Sequence, residues 1–146
     1  MAISTAMATS FKSEILTAVH NFTATTGDTF KIALFTSSAT LGASTTAYGT
    51  TNEITNTTGT AYTAGGKSLT SVTPTTSGTT AFCDFSDVSW TSADFTANGA
   101  LIYNSSKSNK AVSSHAFGSD QTVSGAGTFT IVFPAADATN AIIRIG

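Results

Sequence analysis

The chain is 146 residues long, the size of one domain, and only 10% of it is charged, against about 25% in ordinary soluble domains. Serine and threonine make up about a third of it, yet 40% is apolar, which excludes a disordered chain. The net charge is −2, and Lys12, Lys31, Lys67, Lys107, Lys110 and Arg144 are scattered, which leaves no basic footprint for nucleic acid.

The N-terminus, MAISTAMATSFKSEIL, has neither a basic start nor an unbroken apolar run, and no later segment approaches a membrane span. The expectation is one β-rich domain, 1–146, made in the cytoplasm. The first element is a helix over about 10–21, capped by Ser10, with Phe11, Ile15, Leu16, Val19 and Phe22 gathered on one face. From Gly27 the period changes to two, and Phe30, Ile32 and Leu34 alternate with Thr29, Lys31 and Ala33 as in a half-buried strand. Residues 37–66 form a long polar loop with few apolar anchors, chiefly Leu41, Tyr48, Ile54 and Tyr62, and one short strand near 61–64.

Short strands follow at 67–73, stopped by Pro74, then at 80–85 and 88–90, with 94–98 marking a reversal. A hairpin pairs 100–104 with 110–117 around the polar tip 105–109, and 128–133 and 141–145 close the series. This pattern predicts a mainly β fold, an antiparallel β-sandwich or partly closed barrel with one N-terminal α-helix.

No residue pattern forms a catalytic, cofactor or metal site. The stretch GTAYTAGGKS ends like a phosphate-binding loop, but Ala61 stands where that loop needs glycine and the flanks are polar. Gly65-Gly66 therefore reads as a turn into a strand, with Lys67 facing solvent or an interface. His20 falls at the end of the predicted helix, where an imidazolium suits the dipole. His115 reads as a surface or half-buried strand residue and Cys83 as a small buried hydrophobe. Asp84, Asp87 and Asp94 do not reproduce a calcium loop and suit turns and caps. Asn21, Asn56 and Asn104 head glycosylation-type triplets of the kind expected by chance in so hydroxyl-rich a chain.

Four stretches, SFKSEILTAVHNFTATTGDTFKIALFTSS, TNEITNTTG leading into TAYTAGGKSLTSVTPTTSGTT, GALIYNSSKSNKAV and GTFTIVFPAADATNAIIRIG, together cover most of the chain. In order and composition the chain resembles small structural proteins of tailed-phage virions. That resemblance implies a non-enzymatic cement or decoration protein on the capsid surface, stabilising the head, with the major capsid protein and copies of itself as partners. No catalytic residues come with the resemblance, and no nucleic acid, membrane or cofactor is expected as a partner. A tail or tail-fibre component is the alternative. From the aromatic residues alone, a carbohydrate- or host-surface-binding β-domain stays open, with Trp90, Tyr48, Tyr62 or Tyr103 as stacking faces.

Overall fold

In the computed structural model, which describes residues 2–55 and 62–146, strands and one helix follow in the order Ala6–Met7 (β1), Thr9–Leu16 (α1), Phe30–Phe35 (β2), Lys67–Ser68 (β3), Ser71–Ser77 (β4), Thr80–Phe85 (β5), Val88–Asn104 (β6), Lys110–Ile131 (β7) and Ile143–Ile145 (β8). They make two antiparallel sheets, β1-β7-β6-β2-β3 and β4-β5-β8. The fold is mainly β and sandwich-like, and the sheets do not close into a barrel.

The alternation in β2 decides what lies on each side of the larger sheet. Phe30, Ile32 and Leu34 pair with Asn104, Ile102 and Ala100, so these six share one face. Phe30 stacks on Phe22 at 4.2 Å and meets Phe85 at 5.7 Å, and Phe85 in turn meets Phe133 at 5.7 Å. The smaller sheet and the segment after α1 therefore cover that face. On the other face Tyr103 stacks against Tyr48 at 4.4 Å, which brings the 37–66 excursion down onto β2 and β6. Ala33 and Phe35 are consequently buried as well. The strand expected to be half-buried is covered on both sides, because the excursion docks instead of standing in solvent.

Helix α1 is shorter than the expected 10–21. It ends in a Schellman motif: Ala18 takes a left-handed conformation with φ 57°, its N–H bonds the Ile15 carbonyl at 3.3 Å, and the Val19 N–H bonds the Glu14 carbonyl at 3.0 Å. The reversal sends His20 and Phe22 into the interior and leaves Leu16 outside, 86% exposed. Ser10 is not the cap. Ala8 precedes the helix without a side-chain cap bond, and the Ser10 hydroxyl is buried with no partner.

The expected strand at 67–73 is two strands in different sheets, β3 and β4, and Pro74 sits at the register shift within β4 instead of ending it. Residues 62–64 carry no strand, and Ala61 lies outside the described residues. The largest departure is the β6–β7 ribbon. The expected reversal at 94–98 is continuous strand, and β7 runs on through 118–127 to Ile131. Register shifts at four places along the pair, with Ser92 and Ala126 at positive φ, bend the ribbon until Phe117 and Phe129 of the same strand lie 6.2 Å apart.

Candidate functional site

Three arrangements of side chains are candidates for function. The first centres on Glu53, in the excursion. Its carboxylate is buried, accepting the Tyr62 hydroxyl at 2.6 Å, the Tyr48 hydroxyl at 2.7 Å and the Gly65 N–H at 2.7 Å. Tyr62 also accepts the Leu34 N–H at 2.9 Å, and Tyr103 donates to the Gly65 carbonyl at 2.6 Å. With the Phe35–Glu53 bridge and the Ile54 N–H on the Leu34 carbonyl, these bonds seal the outer edge of β2 beyond β3. Burial, reinforced by the Glu53 charge, pushes the Tyr62 and Tyr48 hydroxyls above their usual range, and Tyr103 rises to about 12. Tyrosines so held do not supply protons near neutral pH; they fasten the excursion to the sheet.

Gly65 and Gly66 both take positive φ, 90° and 72°, as the turn reading required. Lys67 is exposed on β3, its ammonium bonded to the Ser89 carbonyl and 6.0 Å from the centre of the Trp90 ring. Trp90, Tyr62 and Tyr103 are each at most 2% exposed. Three of the four aromatic residues considered as stacking faces are therefore spent inside the protein. Tyr48 is half-buried against Tyr103.

The second arrangement surrounds His20. The imidazole is not at a helix end; it is buried beyond the end of α1, with Nε2 2.8 Å from Glu14 Oε2 and Nδ1 3.0 Å from Asn104 Nδ2. Asn104 Nδ2 also donates to Asp28 Oδ2 at 2.8 Å, and Lys110 donates to Glu14 Oε1 at 2.7 Å. Asn104, in one of the glycosylation-type triplets, is fully buried, Asn21 is exposed, and Asn56 lies outside the described residues.

The third is an open apolar cleft of about 440 Å³ between the end of α1 and the smaller sheet, lined by Ile15, Phe22, Pro74, Phe82, Ile143 and Ile145 among others. Ile145 is 57% exposed, and Leu16 stands next to Ile15 outside the cleft. Cys83, at its wall, is buried, and burial pushes its thiol up to about 12. A second cleft of about 200 Å³ is lined by His115, Phe117, Val132 and Ile142. His115 is half-buried, 2.9 Å from the Ser113 hydroxyl, and burial lowers its pKa.

The aspartates do not converge on a metal: among the described residues no group of three or more His, Cys, Asp or Glu side chains is placed to hold one. Asp87 accepts the Phe133 N–H at 2.8 Å, a turn role. Asp84 is 1% exposed, its Oδ1 accepting the Phe85 N–H and its Oδ2 lacking a partner. Burial raises its pKa; the Phe85 and Ile142 N–H groups pull the other way, but the charges of Asp137 and Asp87 add to the burial and the net direction is up. A raised folded-state pKa gives stability that is present below the unfolded-state value and lost as pH rises through the folded one. Asp84→Asn is therefore expected to stabilise the protein by about 1 kcal/mol at about pH 7. The gain disappears below about pH 3.9, where the wild-type carboxyl is already neutral. Urea unfolding of both proteins at the two pH values measures this; equal stability at neutral pH contradicts it.

Among the described residues no helix is long and apolar enough to cross a membrane. No protein-family model, curated protein or solved structure matches the chain.

Proposed function

We propose that this chain is a non-enzymatic virion structural protein, a cement or decoration protein that binds the capsid surface and reinforces contacts between major capsid subunits. The observation that carries the reading is the apolar cleft between α1 and the smaller sheet, with exposed Ile145 in its lining, in a protein with a net charge of only −2. A small, weakly charged protein with open apolar clefts suits a life spent packed against neighbours. The resemblance of its four stretches to phage structural proteins supports the same reading. The fastening of the excursion through Glu53 suits it too, because a preorganised surface loses less entropy on docking.

A protein that binds the assembled shell but not its separated subunits shifts the equilibrium toward assembly. Such a protein repeats over the shell, with copies of itself as neighbours in symmetric oligomers. The expected result is a copy number comparable to that of the major capsid protein, with shells lacking the protein breaking at lower temperature. Gel densitometry of purified virions, paired with heat challenge of particles with and without the protein, measures both. A few copies per particle, or unchanged heat resistance, overturns the cement reading and favours the tail component.

A further inference from the structure

We infer that Asn104 makes the joint between α1 and the β6–β7 hairpin tip a proton-sensitive latch, which a second proton on the His20 ring opens. The side chain of His20 has no solvent exposure and lies among Phe11, Phe22 and Phe30 at 4.9, 6.4 and 6.4 Å. Both ring nitrogens are committed, and the orientation of one partner is fixed. The Asn104 amide nitrogen faces Asp28 Oδ2 at 2.8 Å, while its oxygen accepts the Ser106 N–H at 3.0 Å. Flipping the amide sets oxygen against carboxylate and N–H against N–H. Asn104 therefore presents a donor to His20 Nδ1, which must accept, and the single ring proton sits on Nε2 and goes to Glu14.

The charged groups facing this joint are Glu14 from α1, Asp28 from the segment before β2, Lys107 from the tip and Lys110 from β7; the Cys83 thiol shares the cleft beside the ring. Burial raises both carboxyls, but hydrogen bonds outweigh it, from Lys110 and His20 on Glu14 and from Asn104 and the Asn21 N–H on Asp28, so both lie below their usual range. Both are therefore charged near neutral pH. A proton arriving at Nδ1 meets an N–H donor, and the acceptor beyond it, Asp28 Oδ2, is already taken by Asn104. The charged ring can bond Asp28 only when Asn104 leaves. Asn104 is the last residue of β6, and its departure removes the acceptor of the Ser106 N–H at the tip.

The test is nitrogen-15 NMR of the His20 ring together with hydrogen exchange at the Ser106 amide, in the wild type and in His20→Gln, from about pH 8 to about pH 5. The expected result is a ring protonated on Nε2 alone at the upper end. Ser106 exchange, corrected for its intrinsic pH dependence, then rises by about tenfold or more as the ring charges, with no such step in His20→Gln. A ring protonated on Nδ1 at the upper end, Ser106 protection unchanged through the ring titration, or an equal step in His20→Gln overturns the latch. If the variant does not fold, the two wild-type measurements decide it.

Discussion

Replacing Glu53 by alanine is expected to lower the unfolding free energy by about 3–5 kcal/mol. The substitution leaves the Tyr48 and Tyr62 hydroxyls and the Gly65 N–H without their acceptor, and water has little access to replace it. The loss comes from stranded donors more than from a missing attraction. Glu53→Gln should therefore recover part of it, since an amide oxygen still accepts while the added N–H₂ has fewer acceptors to meet. Urea denaturation of the three proteins checks the order. A loss below about 1 kcal/mol for Glu53→Ala would show that the excursion is held mainly by Tyr48 stacking and not by the carboxylate.

Gly66→Ala is expected to cost at least as much, about 4 kcal/mol or more, or to prevent folding. A Cβ there would lie 1.8 Å from the Ile32 carbonyl oxygen and 2.7 Å from the Ala33 Cα, on a backbone with φ +72°. Both obstructions are main chain of β2, held between β6 and β3, so neither can swing aside. Two other glycines separate the contributions. Gly78 has φ +59° with open space around it, so Gly78→Ala carries only the left-handed penalty, about 1 kcal/mol. Gly49 has open space and no positive φ, and alanine there should be nearly neutral. Thermal melting of the series should rank Gly66 far below Gly78 and Gly78 below Gly49; a Gly66→Ala protein as stable as Gly78→Ala contradicts the close approach to β2.

These two sites were unequally visible in the sequence. Gly65-Gly66 announces a turn because two adjacent glycines before an alternating segment have few other uses. Glu53 belongs to no motif, and its partners come from 5 to 12 residues away along the chain. The readable signal was that Glu53 is the one charged residue in 37–66, in a loop whose tyrosines needed an acceptor. Strand β5 matches its expected bounds because alternation and turns delimit it cleanly. The β6–β7 ribbon was hidden because its register shifts break the period of two, and Ser, Asp and Asn, which usually mark reversals, here face outward on strand. Asn98, for example, donates to Asp120 across the pair at 2.8 Å. The helix was overextended because Val19 and Phe22 fit its apolar spacing, while the turn at Ala18 uses a residue with no preference for left-handed backbone. The His20 joint was out of reach, since Asp28 and Asn104 are separated by 76 residues.

The order in which strands are synthesised differs from the order in which they can pair. The β6–β7 hairpin closes over five tip residues, with Ser108 and Asn109 both left-handed and the Lys110 N–H on the Lys107 carbonyl, so it can zip from the tip within microseconds. Strand β2 emerges early, yet its longest pairing, from Phe30 with Asn104 to Phe35 with Gly99, is with a strand made much later. During translation FKIALF therefore waits without most of its sheet, an apolar segment exposed to neighbouring nascent copies. A polar excursion of thirty residues follows it immediately and keeps the next apolar strand away until the hairpin offers β2 its template.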